Sequence, residues 1–236
     1  MPGALRLFGL GVAAADVLCA CQQASSPPPS GVQSARSPVT TPRGTPMGSP
    51  TPTATPVLAV DKVGAAASAS GFMVFAVITN PSGQTAADVK VEITALSGSG
   101  QALARRTGSI PRIGSGQREA LAMPFPVSRT LPATFSGRVA SVRWRSDLAS
   151  DVAQVIGATF VQDARTPAVR VHLVNRGGRA NRIAVTAVCW DAAGNIRGGG
   201  TRTLMIGPEA QGHDVTIDVA LSTVPAGCDA FGVSTG

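Results

Sequence analysis

The feature that most constrains the fold is an internal repeat in which Val169–Thr201 is a second copy of Val74–Thr107. Each copy has the pattern strand, turn, strand, turn, strand. The turns correspond as well, because Asn175–Gly178 aligns with Asn80–Gly83 and both contain strong turn-forming residues. The match extends through most of both halves of the 236-residue chain. It therefore predicts two similar domains in tandem.

Alternation of apolar and polar residues predicts that these domains are built from strands. Val89, Val91 and Ile93 alternate with polar neighbours, which gives one buried and one wet face. Phe72–Thr79 is apolar throughout, as expected for a fully buried strand. Short strands separated by turns at regular spacing favour a sandwich. The predicted fold class is all-β, with two tandem immunoglobulin-like β-sandwich domains at residues 57–147 and 151–236.

The amino terminus, residues 1–20, is predicted to be a secretory signal peptide. Arg6 supplies the positive charge, and Leu7–Ala20 is an apolar run that is too short to span a bilayer as a helix. Leu18–Cys21 resembles the lipobox of bacterial lipoprotein precursors, which implies that Cys21 is lipidated and becomes the new amino terminus. This implies firm attachment to the bacterial cell membrane. The alternative is an ordinary cleaved signal, with Cys21 left as a free thiol.

Residues 21–56 are predicted to be a disordered linker rich in Pro, Thr and Ser. Proline recurs every few residues, and it fixes φ and removes a backbone donor, so neither a helix nor a sheet is expected. Such a segment is typical of an extended tether that holds a module away from a membrane.

The net charge of +7 raises nucleic acid as a partner, but the sequence argues against it. The arginines are scattered, and the two tryptophans, Trp144 and Trp190, are far apart. We therefore expect no nucleic-acid partner, and instead a mildly basic surface that faces an anionic cell envelope.

Two cysteines, Cys189 and Cys228, belong to the second domain. Cys228 is predicted to lie just before the last strand. Thiols in one small domain of an oxidising compartment usually pair, so a Cys189–Cys228 disulfide is expected to fasten that strand to the core. Two buried free thiols are the alternative. Because the spacing is not that of a CxxC motif, a redox-active pair is not expected.

The sequence predicts no catalytic residues, no cofactor and no metal site. His172 and His213 are the only histidines, and a zinc site needs three or four ligands. His213-Asp214 is not accompanied by a G-x-S-x-G motif, so a turn beside a strand is favoured over part of a triad. Asp191 and Asn195 fall short of the six to eight oxygens that Ca²⁺ takes, and Asp191 is better explained as a turn former.

The segment Thr186–Asn195, followed by the glycines 198–200, resembles an FxLYD domain. In that family an aromatic-Asp pair ends the strand before a hairpin, and Trp190-Asp191 match this pair. The resemblance implies a small immunoglobulin-like sandwich that serves as an extracytoplasmic accessory or interaction module. It implies no catalytic residues.

The part of the repeat that the first copy lacks is the best candidate for an interaction surface. Its residues are Trp190, Asp191, Asn195, Gly198, Gly199 and Gly200. The glycines are predicted to lead into a strand from Thr201 to Ile206, and a bulge or a close backbone approach is their structural explanation.

We therefore expect a membrane-anchored extracytoplasmic lipoprotein that acts as a non-catalytic structural or protein-interaction module. Its expected partners are the membrane, through Cys21, and a protein of the cell envelope. The alternative is a small-ligand or glycan-binding accessory module that uses the groove between the two domains.

Overall fold

The computed structural model describes residues 56–68, 71–126, 132–146, 153–162, 166–208 and 212–235. The predicted signal peptide, Cys21 and the predicted linker except Pro56 lie outside these ranges. All regular structure in the described residues is β, which confirms the predicted all-β fold. The strands, in chain order, are β1 (Ala59–Ser68), β2 (Gly71–Thr79), β3 (Thr85–Leu96), β4 (Ala102–Ile113), β5 (Arg118–Pro126), β6 (Thr134–Arg145), β7 (Ala153–Val161), β8 (Ala168–Asn175), β9 (Asn181–Trp190), β10 (Ile196–Ile206), β11 (His213–Asp218), β12 (Ala220–Leu221) and β13 (Gly227–Ser234).

The first sandwich is formed by two antiparallel sheets with the strand orders β1-β2-β5 and β4-β3-β6. Alternate residues of β2 and β3 face each other between the sheets. Val74, Ile78, Val91 and Ile93 are fully buried there, and the β5 side chain of Phe125 closes one side. The period-two pattern of β3 thus places its apolar residues in the core, as predicted.

The second sandwich repeats this topology. Its sheets have the strand orders β11-β8-β7 and β12-β10-β9-β13. Strands β7, β8, β9, β10, β11 and β13 correspond in order to β1 through β6, and β12 is an additional short strand that pairs with β10. Val171, Leu173, Ile183 and Val185 fill the core between the sheets. The same strand pairing in both halves confirms two tandem sandwiches.

A buried asparagine at the end of the second strand of each sandwich holds the next turn in the same way. Asn80 and Asn175 both lie in the interior. Each side-chain amide donates to the backbone carbonyl four residues later and to the carbonyl of the last residue of β4 or β10, a strand of the facing sheet. Each side-chain oxygen accepts a hydrogen bond from the backbone N–H two residues later. The carbonyl acceptors are Gln84 and Ile113 for Asn80, and Arg179 and Ile206 for Asn175. The repeated contacts indicate duplication of one ancestral unit.

The two hairpins of the repeat also correspond in backbone hydrogen bonding. The Ser97 N–H donates to the Gln101 carbonyl at 2.8 Å, and the Asp191 N–H donates to the Asn195 carbonyl at 3.0 Å. A glycine with positive φ completes each turn, namely Gly100 at 81° and Gly194 at 73°. Their position requires the left-handed backbone that glycine adopts without a steric penalty.

The two sandwiches share a third apolar core, the inter-sandwich cluster. It contains Phe75, Val77, Ala120, Val188 and Ile196, all buried. The first three come from the β1-β2-β5 sheet and the last two from the sheet that contains β9 and β10. Both sandwiches accordingly belong to one unit, Pro52–Gly236. Strand β2 is apolar on both faces because one face lines the first core and the other lines this cluster.

Three details of the sequence prediction were wrong. His213 and Asp214 were predicted to form a turn beside a strand, but they are the first two residues of strand β11 and pair with β8. The strand predicted to begin at Thr201 begins at Ile196, so the glycines 198–200 lie inside β10 rather than before it. Cys228 likewise lies inside the last strand, β13, rather than ahead of it. The glycine run of β10 and the first residues of β13 lack β-branched side chains, and they form strand because β9 supplies the backbone pairing for both.

Candidate functional site

The Asp191 side chain organises the hairpin between β9 and β10. Its carboxylate accepts from the backbone N–H groups of Ala193 (2.9 Å) and Asn195 (2.8 Å) and from the Asn195 side-chain amide (3.2 Å). Arg197 adds an ion pair at 2.7 Å. The Asn195 N–H, followed by the side chains of Asn195 and Arg197, lowers the pKa of Asp191 to about 2. The carboxylate is thereby fully engaged within its own turn.

Trp190 lies at the end of β9, where its ring packs against the inter-sandwich cluster. Its indole Nε1 donates to Asp229 Oδ2 at 3.0 Å, so the polar end of the ring is satisfied by the neighbouring strand β13. Core packing with a paired N–H is a usual arrangement for a half-buried tryptophan. Trp190 and Asp191 are therefore adjacent in sequence but serve different parts of the fold.

The glycine run of β10 allows three close backbone approaches. A Cβ on Gly198 would lie 1.9 Å from the Ala220 carbonyl oxygen, and one on Gly200 would lie 2.0 Å from the Asp218 carbonyl oxygen. A Cβ on Gly199 would lie 2.1 Å from the Ala187 carbonyl oxygen and 2.9 Å from the Phe75 ring. Gly198 and Gly199 are buried. Among the predicted site residues, the glycines are thus placed inside the fold and not on an open surface.

Cys189 and Cys228 form a disulfide with an S–S distance of 2.05 Å. They are direct cross-strand partners on β9 and β13, and Cys189 is fully buried in the second core. The bond fastens the last strand to the neighbouring strand β9, as expected from the sequence.

Among the hydrogen bonds and ion pairs of the described residues, the histidine contact that is seen joins His172 to a carboxylate and not to a nucleophile. His172 on β8 pairs with Asp214 on β11 through Nδ1 and Oδ1 at 2.9 Å, and both side chains are exposed. Asp214 thus pairs with a histidine of the neighbouring strand. Within the described residues, no group of three His, Cys, Asp or Glu side chains is close enough to hold a metal ion.

The inter-sandwich cluster occupies part of the groove between the sandwiches. Two adjoining clefts of about 250 and 350 Å³ remain where the edges of β5, β7 and β13 meet, and both are lined by residues that include Arg118 and Phe231. Arg118 is already paired with Asp61 at 3.5 Å.

The clearest arrangement of charges lies on the outer face of the β4-β3-β6 sheet. Glu92 of β3 is flanked by an arginine from each neighbouring strand, with Arg138 Nε at 2.8 Å and Arg105 Nε at 3.7 Å from Oε1. The hydrogen bond from Arg138, together with the charges of both arginines, lowers the pKa of Glu92. The carboxylate is only 15% exposed, whereas Arg105 and Arg138 are 60% and 66% exposed. One anion thus holds two largely solvated guanidinium groups in place.

These three residues lie at a surface depression of about 470 Å³, called here the Glu92 depression. Thr94 and Ser136 contribute hydroxyl groups to its lining, and Leu96 contributes an apolar side chain. The depression therefore combines charged hydrogen-bond donors with hydroxyl-bearing residues and one large apolar side chain.

Sequence reasoning missed the Glu92 depression because its charged residues are far apart in the chain. Glu92, Arg105 and Arg138 are separated by 13 and 33 positions, and only the pairing of β3 with β4 and β6 brings them together. The scattered arginines in the sequence gave no sign of a cluster. The register of β3 with β4 and β6 is the information that identifies this cluster.

Comparison with protein-family models found no match, and comparison with curated proteins found none either. The similarity of the second sandwich to FxLYD domains therefore stays a prediction. In the part of the chain that the structure describes, no helix is long and apolar enough to cross a membrane.

Proposed function

We propose that this chain is an extracytoplasmic lipoprotein, anchored to the membrane through Cys21, whose two sandwiches form a non-catalytic structural or protein-interaction module. The observation that carries the proposal is the inter-sandwich cluster. It commits one face of each sandwich to the other, and Phe75 and Val188 within it are fully buried. The outer sheets and the strand edges are then left to meet a partner, which is how sheet proteins commonly bind other proteins.

The contacts of Asp191, Trp190 and the β10 glycines support this reading. Each of these groups stabilises a turn, a strand pair or the packing between the sandwiches. The residues that were the strongest candidates for a specific site in the sequence thus have a structural explanation. This favours a structural or interaction module over an enzyme.

A second function, small-ligand or glycan binding, is favoured by the Glu92 depression. The groove between the sandwiches was the expected place for it, and there the inter-sandwich cluster leaves two clefts of about 250 and 350 Å³. The depression on the outer sheet is a single cavity of about 470 Å³, with paired arginines and hydroxyl-bearing residues at its wall.

The membrane anchor is tested by mass spectrometry of the mature amino terminus. We expect cleavage before Cys21 and a diacylated cysteine, and we expect Cys21→Ala to release the protein from membranes. Cys19→Ala is the matched control, because this cysteine is removed with the signal peptide and its loss should leave the anchor intact. An unmodified Cys21 in the mature protein would rule out the anchor.

The interaction role is tested by a pull-down from cell-envelope extracts with the full-length protein in a nonionic detergent. Specific retention of a protein partner is expected. Competition with free protein should abolish that retention, and a partner that resists competition or is absent would contradict the proposed role.

A further inference from the structure

The outer face of the β4-β3-β6 sheet in the first sandwich is equivalent to the docked face of the second sandwich. Strand register defines the equivalent positions, because β3, β4 and β6 correspond to β9, β10 and β13. The pairs, with the first sandwich given first, are Glu92 and Thr186, Thr94 and Val188, Leu96 and Trp190, Arg105 and Gly199, and Arg138 and Phe231. In the second sandwich, where the other sandwich covers this face, the positions are mostly apolar or glycine. In the first sandwich, where the face is exposed to solvent, three of them are charged.

A free face must be polar, but polarity alone does not explain this cluster. Terminal units of repeat proteins need a polar outer surface for solubility, and scattered charges of either sign provide it. The free outer face at the opposite end of the stack is of this mixed kind, with Arg170 on β8 and Asp214 and Asp218 on β11. In the first sandwich, by contrast, two arginines converge on one shielded carboxylate.

The positive charge of the chain is concentrated in the same sandwich. Residues 57–146 contain ten Lys and Arg and four Asp and Glu, whereas residues 153–236 contain seven and six. Lys90, next to Glu92 on the same face of β3, adds a further cation, which is held by the Ser109 hydroxyl at 2.8 Å. The potential around the Glu92 depression is therefore positive, despite the charge of Glu92 itself.

The two guanidinium groups have donors left for a ligand. An arginine has five N–H donors, and the Glu92 contacts use only part of those on Arg105 and Arg138. The planar arrangement of these donors suits a carboxylate, which two parallel N–H groups bind together. Because the hydrogen bond to Glu92 restrains the Arg138 side chain in advance, less conformational entropy is lost when an anion binds.

We propose that the Glu92 depression binds the carboxylate-bearing sugars of an acidic polysaccharide. Arg105 and Arg138 would receive the carboxylate, while the hydroxyls of Thr94 and Ser136 pair with sugar hydroxyls and Leu96 contacts the ring face. The depression has a volume of about 470 Å³, and its wall places Thr94, Ser136 and Leu96 beside the arginines, which suits a sugar unit with both hydroxyl groups and a carboxylate. This inference rests on the second proposed function and names its ligand class.

The test measures binding of oligogalacturonate to the full-length protein in a nonionic detergent, with neutral dextran of similar length as the comparison. The variant Arg105→Gln/Arg138→Gln removes both guanidinium groups. Its matched control, Arg176→Gln/Arg179→Gln, removes the same charge from an exposed turn of the second sandwich. Far-ultraviolet circular dichroism of all proteins verifies that each variant keeps its β structure.

We expect oligogalacturonate to bind and dextran not to bind. The Arg105/Arg138 variant should bind about tenfold or more weakly, which corresponds to about 1.4 kcal/mol, while the control should change the affinity by less than about twofold. Affinity should fall as salt is added, because the contact is ionic. Equal losses in the two variants would overturn the inference, since net charge alone would then explain binding.

A parallel measurement uses vesicles of phosphatidylglycerol and phosphatidylcholine. If these bind through Arg105 and Arg138 and oligogalacturonate does not, the face is a membrane contact and the inference is wrong. Failure to bind the oligosaccharide, with a protein partner still retained in the pull-down, removes this inference and leaves the first proposed function in place.

Discussion

At the scale of single residues, the two glutamates of the first sandwich have opposite electrostatic environments. Glu119 of β5 is buried, and desolvation raises its pKa to about 8, although the Ala120 backbone N–H and the charge of Arg112 act in the other direction. Glu92 lies on the outer face, where its arginine partners lower its pKa. One carboxyl group therefore opposes folding when it ionises, and the other supports folding.

Replacing Glu119 by Gln should stabilise the protein increasingly as pH rises. An unfolded chain releases the Glu119 proton near 4.5, whereas the folded chain retains it up to about 8. Between these values the free energy of unfolding falls by about 1.4 kcal/mol per pH unit because of this group. Glutamine has nearly the same shape and does not ionise, so urea denaturation should show no gain for Glu119→Gln at about pH 4 and a clear gain at about pH 8.

Glu92→Gln is the comparison with the opposite sign. Because its folded pKa is lowered, the contribution of Glu92 is present above the unfolded pKa and is lost as pH falls through the folded pKa. The variant should therefore be less stable than the wild type at neutral pH and should approach it in acid. A Glu119→Gln effect that does not change with pH would show that the carboxyl group is not held neutral in the fold.

At the scale of elements, β10 shows why a glycine run can be structural. Its three glycines lie against carbonyl groups of β9, of β12 and of Asp218 at the end of β11, and Gly199 also faces the Phe75 ring across the inter-sandwich cluster. No other residue type leaves room for such approaches. The run is absent from the equivalent strand β4, where Arg105 stands in the place of Gly199 and faces solvent.

Substitution of Gly199 by Ala should destabilise the protein by about 1–3 kcal/mol, because the new methyl group meets a backbone carbonyl that cannot move aside freely. Gly227→Ala on β13 is the matched control, since nothing lies within 4 Å of a Cβ there. Chemical denaturation of both variants measures the difference. If the two substitutions have the same effect, strand entropy and not close packing explains the need for glycine in β10.

The sequence was informative about strands and turns but not about how their faces pair. Alternation located the core residues of β3, and the Asn80 and Asn175 turns were visible from composition, because these signals are local. Phe72–Thr79 indicated burial on both sides, but the identity of the covering sheet depends on contacts between residues more than 100 positions apart, such as Phe75 with Gly199. The Glu92 depression was hidden for the same reason, since it exists only once β3 is paired with both neighbours.

At the scale of the whole molecule, duplication and divergence account for the stack of four sheets. Both units have the same topology, yet each uses a different face to meet the other: the β1-β2-β5 sheet in the first sandwich and the sheet containing β9 and β10 in the second. Such a head-to-tail contact leaves one free face at each end. The free faces have become polar, which ends the stack after two units.

The inter-sandwich cluster should couple the stability of the two sandwiches energetically. Phe75→Ala and Val188→Ala remove side chains from opposite sides of the cluster, and a buried Phe→Ala change costs about 3–5 kcal/mol. Because the two sites share one packed cluster, their effects on the free energy of unfolding should deviate from additivity by about 0.5–3 kcal/mol in a double-mutant cycle.

The control cycle combines Phe75→Ala with Leu173→Ala, which lies in the core of the second sandwich and outside the cluster. That pair should be additive to within about 0.5 kcal/mol. Additivity in both cycles would mean that Phe75 and Val188 do not interact energetically across the cluster, and the predicted coupling would then be wrong.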